Sequence, residues 1–87
     1  MKPEGNGHGL RLYTTPWCPD CRRAKAFLRE RGIEFAEINI EETPGAAELV
    51  MEKNQGRRKV PTFEVDGRYF DCSPFDAGRL KRALGLE

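Results

Sequence analysis

Two cysteines, Cys18 and Cys21, stand in the segment Trp17-Cys18-Pro19-Asp20-Cys21, at a point where the pattern of apolar residues changes. Before this segment, Leu10 to Thr14 alternates apolar and polar residues and predicts a β-strand. After it, apolar residues repeat at helical spacing from Asp20 to Arg31 and predict an amphipathic helix that Gly32 ends. The cysteine pair therefore lies between a strand and the start of a helix, and the other elements have to be arranged around that junction.

The middle of the chain predicts a second strand and a second helix. Residues 33 to 40 alternate apolar and polar side chains again. Thr43 is a suitable N-cap with Pro44 at the first helical position, and this helix is expected to run to about Asn54. A basic loop, Gln55 to Lys59, follows it.

The last third of the chain predicts a hairpin and a third helix. Val60 to Val65 and Arg68 to Phe70 are joined by Asp66-Gly67, which is typical of a two-residue turn. The third helix is expected to run to Leu84, with Ser73 as its N-cap and Pro74 at its first position.

The order of elements is therefore β-α-β-α-β-β-α, an α/β fold. Two strands joined through a helix should be parallel and the hairpin strands antiparallel, which gives one four-stranded mixed sheet with three helices. A chain of 87 residues is long enough for one domain, expected over residues 10–87. Residues 1–9, rich in glycine and containing the lone His8, are expected to form a mobile arm.

Composition and charge exclude several classes of protein. The chain is 38% hydrophobic and 33% charged, which argues against disorder. No apolar run approaches the roughly 20 residues that cross a membrane. Fifteen basic and fourteen acidic side chains give a net charge of +1, which argues against a general nucleic-acid binder. The N-terminus lacks the apolar stretch of a secretory signal, so we expect a cytoplasmic protein. In that compartment cysteines are expected to be catalytic or metal-binding rather than structural. We also expect the protein to be a monomer.

The position of the cysteine pair favours thiol–disulfide exchange. The unpaired N–H groups and the dipole of a helix N-terminus stabilise an anion, here the Cys18 thiolate. Cys21 lies one turn further along and can form a short disulfide with Cys18, while Pro19 suits the first helical position. We expect Cys18 to attack a disulfide and Cys21 to resolve the mixed intermediate. The alternatives are a structural disulfide and a zinc site that adds Cys72 and His8, although the second close pair of ligands is missing.

A second feature lies where the third strand begins, at Val60-Pro61. In the predicted fold this point faces the start of the first helix. A cis peptide bond here would leave the Val60 backbone groups free to pair with an incoming peptide or thiol ligand. A trans bond at an ordinary strand start is equally consistent with the sequence.

Taken together, three parts of the sequence resemble the glutaredoxin family: residues 12–21, the pair Ala24-Lys25, and Lys59-Val60-Pro61-Thr62. The resemblance covers residue 10 to about residue 86. It implies a thioredoxin fold, a cis bond before Pro61 and a nucleophilic Cys18. It also implies a groove for glutathione or a similar thiol, as a co-substrate rather than a bound cofactor, lined by Thr14, Trp17, Val60, Pro61, Asp71, Cys72 and Ser73.

Two positions depart from the family pattern. Glutaredoxins commonly have Tyr where this chain has Asp20, and a Gly-Gly pair followed by acidic residues where it has Phe70 to Asp76. The latter stretch and the loop before it are similar to mycoredoxins and to small glutaredoxin-like donors that thioredoxin reductase reduces. The reductant is therefore expected to be glutathione, another small thiol, or thioredoxin reductase.

Four residues in or near the motif, three of them charged, are expected to influence the Cys18 thiolate. The residues in question are Pro19, Asp20, Arg22 and Arg58. A basic rim made by Arg22, Arg23 and the Arg57-Arg58-Lys59 run would favour the anion and attract carboxylates, with an acidic flank on the second strand and helix. The plainer interpretation of these charges is a solvated surface. Asp20 has opposing effects, because it repels a thiolate but is itself favoured at a helix start.

Cys72, near the end of the hairpin, has two interpretations. It is either a buried residue that fills space in the core or a site of regulatory oxidation.

Three functional hypotheses follow from these residues and the resemblance. The first is a dithiol oxidoreductase that reduces protein disulfides or mixed disulfides of small thiols. The second is a dedicated electron donor to another reductase, supplied by thioredoxin reductase. The third is a module that holds an iron–sulfur cluster between two copies, although the glutaredoxins that do so commonly have Gly where this chain has Pro19. No metal ligand set is expected in the first two.

Overall fold

The computed structural model describes residues 9–86, so the predicted N-terminal arm, apart from Gly9, lies outside the described residues. The elements are β1 (Arg11–Thr14), α1 (Pro19–Glu30), β2 (Ala36–Asn39), α2 (Ala46–Lys53), β3 (Thr62–Val65), β4 (Arg68–Asp71) and α3 (Ala77–Leu84). The four strands form one sheet in the order β2-β1-β3-β4. The pair β1–β2 is parallel, and the pairs β1–β3 and β3–β4 are antiparallel, which confirms the predicted fold.

Alternating residues of β1 supply both faces of the sheet, because successive side chains of a strand point to opposite sides. Leu12 belongs to one buried cluster, together with Phe27 and Leu28 of α1 and Leu80 of α3. Tyr13 belongs to a second cluster with residues of α2. Helices α1 and α3 therefore cover one face and α2 the other. In the first cluster the Phe63 and Phe70 rings stack across β3 and β4, with centroids 5.2 Å apart.

The hairpin between β3 and β4 forms as predicted. Asp66 and Gly67 both have positive φ, 53° and 81°, which a two-residue turn between twisted strands requires. Strand β2 is shorter than the alternation suggested. Ile33 and Phe35 precede it and pack against the first cluster from outside the sheet.

The predicted start of the second helix, with Thr43 as N-cap and Pro44 at its first position, is wrong. Helix α2 begins at Ala46, and its N-cap is Gly45, whose φ of 82° is left-handed. The chain first makes a turn in which Asn39 O accepts hydrogen bonds from the N–H groups of Glu42 and Thr43. The Thr43 backbone is thus part of that turn, and Gly45 supplies the left-handed residue that redirects the chain into the helix.

The predicted start of the third helix at Ser73 is also wrong. Helix α3 begins at Ala77, and Asp76 is its N-cap, with its carboxylate accepting from Arg79 N–H at 3.1 Å. Ser73 instead directs its backbone N–H to the Asp71 carboxylate at 3.2 Å. The Ser73–Pro74 peptide bond is cis. Within residues 9–86, no helix is long and apolar enough to cross a membrane.

The cap of α3 gives a test of where this helix begins. Asp76→Ala should lower the free energy of unfolding by about 1 kcal/mol, because the Arg79 N–H loses its acceptor, whereas Asp76→Asn should retain most of the stability. Ser73→Ala should change stability by less than about 0.5 kcal/mol. Urea denaturation of the three variants measures these differences. A larger loss for Ser73→Ala than for Asp76→Ala would contradict the observed cap.

Candidate active site

Cys18 is the N-cap of α1 and lies where the chain leaves β1. Its backbone is extended, with φ −89° and ψ 113°, and Pro19 occupies the first helical position. The Sγ atom accepts a hydrogen bond from Cys21 N–H at 3.1 Å. The first turn of the helix therefore presents a backbone donor to this sulfur, as an anion-stabilising helix N-terminus requires.

Cys21 is far less accessible than its partner. Cys18 is half-buried, whereas Cys21 is 1% exposed and packs under the first turn of α1. Burial, followed by the hydrogen bond with Cys18, raises the pKa of the Cys21 thiol to about 12. Both cysteines are free thiols in this structure. An incoming disulfide can therefore reach Cys18 but not Cys21, which fits the predicted division of roles.

The start of β3 faces Cys18 across the site. The Val60–Pro61 peptide bond is cis, in agreement with the family pattern. The Cys18 thiol donates to Val60 O at 3.7 Å, and Pro61 is fully buried behind it. The Trp17 side chain, which directly precedes Cys18 in the chain, is 68% exposed and leaves a large apolar surface at this end of the sheet.

Thr14 is buried below the site, where it joins a polar group that the sequence analysis missed. Thr14 Oγ1 donates to Glu37 Oε2 at 2.8 Å, and Lys25 Nζ pairs with the same oxygen at 2.8 Å. Burial alone would raise the pKa of Glu37, but the hydrogen bonds from Lys25 and Thr14 outweigh it and lower that pKa. Lys25 also favours the thiolate form of Cys21. Lys25 follows Cys21 by one helical turn, and this spacing in the sequence could have indicated that its charge lies near the Cys21 thiol.

The three predicted groove residues at the end of β4, Asp71, Cys72 and Ser73, are held in place by contacts with neighbouring groups. Asp71 pairs with Lys59 at 3.7 Å and with Arg79 at 3.6 Å, and it accepts the Ser73 N–H. Cys72 is 1% exposed, and its sulfur lies within hydrogen-bonding distance of the Asp76 backbone. Burial raises the pKa of the Cys72 thiol. That these residues bind glutathione stays a prediction.

The predicted basic rim is partly neutralised by acidic partners. Asp20 pairs with Arg23 at 3.2 Å, and Arg58 pairs with Glu41, on the predicted acidic flank, at 3.7 Å. Arg22 is exposed and has no side-chain partner within residues 9–86. The effects of Pro19, Asp20, Arg22 and Arg58 on the Cys18 thiolate stay predictions. The described part of the chain contains no group of three His, Cys, Asp or Glu side chains arranged to hold a metal ion, and His8 lies outside it.

Comparison with known proteins identifies the family. The glutaredoxin family profile matches residues 10–70. The chain is 48% identical over 55 residues to a glutaredoxin of Pseudomonas aeruginosa, covering 62% of this chain and 63% of that protein. It is 37% identical over 60 residues to glutaredoxin 3 of Escherichia coli K12, covering 69% of this chain and 71% of that protein. The chain belongs to the glutaredoxin family.

Solved structures agree with this assignment and with the thioredoxin-like fold. One of them is NrdH-redoxin of Escherichia coli, described as a glutaredoxin-like protein with a thioredoxin-like activity profile. It is 27% identical, with a TM-score of 0.69, and the match covers 84% of this chain and 91% of that one. Glutaredoxins are in general thiol–disulfide oxidoreductases, and the close Cys18–Cys21 pair of this member is consistent with that class.

The difference in accessibility between the thiols predicts their order of modification. At neutral pH, iodoacetamide should modify Cys18 first. Cys21 and Cys72 should react at least about a hundred-fold more slowly, because both are buried with raised pKa values. Mass spectrometry of the native protein measures the sites, and the protein in denaturant, where all three thiols are accessible, is the control. Rapid modification of Cys21 in the native Cys18→Ser variant would contradict the geometry.

Proposed function

We propose that this glutaredoxin is a dithiol disulfide reductase in which Cys18 is the nucleophile and Cys21 the resolving thiol. The observation that supports these roles is the difference between the two cysteines at the N-terminus of α1. Cys18 has an accessible sulfur that accepts a hydrogen bond from the backbone N–H of Cys21, and Cys21 is itself buried. Its substrates are protein disulfides and mixed disulfides of glutathione or a similar small thiol.

The reaction proceeds in two exchanges. The Cys18 thiolate attacks one sulfur of a substrate disulfide, a bond forms between the two sulfurs, and the other substrate sulfur leaves and takes up a proton. Cys21 then loses its proton and attacks Cys18 Sγ, which releases the second substrate thiol and leaves a Cys18–Cys21 disulfide. Two electrons pass from the protein to the substrate. An external dithiol, or two small thiols, must return them.

The second step requires deprotonation of the Cys21 thiol, whose pKa is raised mainly by burial, and this deprotonation becomes easier after the first step. Part of the rise in the Cys21 pKa comes from its hydrogen bond with Cys18. When Cys18 forms a mixed disulfide, its sulfur carries no charge and that contribution falls. Lys25, one turn along α1, favours the Cys21 thiolate throughout. Formation of the mixed disulfide therefore removes one of the two main causes that keep Cys21 protonated, while burial continues to act.

A second candidate function is that of an electron donor fed by thioredoxin reductase. Asp71, in the stretch that replaces the Gly-Gly pair, is already bound to Lys59, Arg79 and the Ser73 N–H. This leaves it less able to hold the amino group of glutathione. NrdH-redoxin, which the chain resembles in structure, has a thioredoxin-like activity profile. Supplying NADPH with glutathione and glutathione reductase, or with thioredoxin reductase alone, distinguishes the two candidates by which system supports turnover.

Substitution of each cysteine tests the division of roles. Cys18→Ser should abolish disulfide reduction, because the attacking sulfur is lost. Cys21→Ser should accumulate mixed disulfides with protein substrates, detectable by mass spectrometry, and should retain reduction of glutathionylated substrates. Cys72→Ser is the matched control and should retain reduction of both kinds of substrate. Failure of Cys21→Ser to form any mixed disulfide would reverse the assignment of the two cysteines.

Asp20 gives a test of how this site uses glutathione. Glutathione is net negative, and repulsion by Asp20 should be modest, on the order of 1 kcal/mol or less. The contact with Arg23 reduces it further. Asp20→Tyr should lower the KM for glutathione by up to about five-fold, since it removes the charge and adds a flat apolar surface beside the tripeptide. Asp20→Asn removes the charge alone and separates the two effects. An unchanged or raised KM at low salt for Asp20→Tyr would contradict this role.

A further inference from the structure

A cleft of about 290 Å³ lies beside β4, between the end of α2 and the loop that leads into β3. It is outside the Cys18–Cys21 pair and plays no part in the exchange described above. Its walls carry three basic side chains, Lys53, Arg57 and Lys59, and one carboxylate, Asp71. The positive charge of this wall is therefore in excess.

The charged side chains of the cleft differ in whether they already have a partner. Asp71 is held by Lys59 at 3.7 Å and by Arg79 at 3.6 Å, so its negative charge is already compensated. The Lys53 ammonium lies over the Tyr69 ring, 4.7 Å from its centroid, which places it at the wall of the cleft. Arg57 is exposed, and its guanidinium has no partner within residues 9–86. The cleft thus offers one unengaged guanidinium and one ammonium to an anion.

The loop that carries Arg57 is held in place by several backbone contacts. Gly56 N–H donates to Met51 O at 2.7 Å, and Arg57 N–H donates to Asn54 O at 3.1 Å. The Asn54 amide donates to Val50 O at 2.7 Å and to Thr62 Oγ1 at 3.1 Å, which joins α2 to the start of β3. A ligand in the cleft would therefore meet a loop whose backbone is already ordered, which lowers the ordering cost of binding.

The floor of the cleft is the edge of the sheet. Strand β4 has β3 as its only partner strand in the sheet that the structure describes. The outer side of such a strand can accept another extended segment through backbone hydrogen bonds. The cleft also adjoins the reaction site, because Lys59 directly precedes Val60, whose carbonyl oxygen is 3.7 Å from Cys18 Sγ.

We propose that this cleft binds an extended acidic segment of a disulfide-bearing protein substrate and so selects which substrates reach Cys18. The proposal rests on the proposed function for its redox consequence, but not for the binding itself. Backbone pairing along β4 would align the segment, and its carboxylates would contact Arg57 and Lys53. A single-stranded nucleic acid fits less well, because the Tyr69 ring, a lining aromatic that could stack a base, is covered by Lys53.

Binding is tested without redox chemistry in a Cys18→Ser/Cys21→Ser protein. The probes are a labelled peptide that alternates Glu and Val, its Gln and Val counterpart, and a labelled single-stranded oligonucleotide, each followed by fluorescence anisotropy at low salt. Lys53→Gln/Arg57→Gln should weaken binding of the acidic peptide by about ten-fold. Arg31→Gln/Arg82→Gln, at exposed positions outside the cleft lining, should change it by less than about two-fold. This control matches the test variant, because each removes two positive charges. In each, one of the two charges comes from the last turn of a helix, Lys53 in α2 and Arg82 in α3.

The redox consequence is tested in the protein with both cysteines present. Two oxidised peptides, identical except for an acidic or an amide flank, are reduced by the wild-type protein and by both double variants. The acidic peptide should have the lower KM, and only Lys53→Gln/Arg57→Gln should remove that preference while reduction of the amide peptide is unchanged.

Different results would overturn different conclusions. Equal binding of the acidic and amide peptides, equal effects of the two double variants, or tighter binding of the oligonucleotide would each contradict the proposed cleft. If the protein reduced neither disulfide peptide but still bound the acidic peptide selectively, the proposed function would be contradicted and the proposed cleft would remain supported.

Discussion

The hydrogen bond from Cys21 N–H to Cys18 Sγ is the interaction on which the site depends. It exists only because α1 begins at Pro19, and α1 is held there by Ala24, Phe27 and Leu28, which are buried against the sheet. The position of this N–H donor beside the Cys18 sulfur is therefore a consequence of core packing a full turn away from it.

The same packing makes the two thiols chemically unlike although they are three residues apart. The side of α1 that carries Cys21 faces the sheet, and the N-cap position of Cys18 faces the solvent and Val60. Burial disfavours the Cys21 thiolate, whereas the Cys18 sulfur is only half-buried and accepts a hydrogen bond from the N–H of Cys21 at the helix start. A disulfide reductase needs this inequality, because the nucleophile must be available first and the resolving thiol must remain protonated until a mixed disulfide has formed.

Periodicity and motif spacing predicted the sheet, the three helices and the cysteine junction, because these depend on local sequence. They failed at the starts of α2 and α3. Thr43-Pro44 and Ser73-Pro74 both have the composition of an N-cap followed by a first-turn proline. At each place contacts from a preceding residue, Asn39 or Asp71, engage the backbone there, and the helix begins a few residues later. The N-cap pattern permits either start, and the turn contacts of the preceding residues, which that pattern does not include, select the later one.

The sequence likewise did not predict which side chains would pair between distant parts of the chain. Lys25 and Glu37 are twelve residues apart and meet because β1 and β2 are parallel neighbours, which brings Glu37 beside Thr14 and the side of α1. The basic residues before Val60 were expected to act together at the Cys18 rim. Instead Arg58 turns to Glu41, while Arg57 and Lys59 line the cleft beside β4.

Lys59 connects that cleft with the reaction site. Its side chain contacts Asp71 in the cleft wall, and its carbonyl oxygen accepts a hydrogen bond from Thr62 Oγ1 at 2.6 Å. The backbone on both sides of Val60 is therefore fixed, and so is the carbonyl that faces Cys18. A carboxylate that entered the cleft would compete with Asp71 for the Lys59 ammonium, one residue away from that carbonyl. Binding of the proposed acidic segment and the position of the carbonyl opposite Cys18 would thus depend on the same short segment of chain.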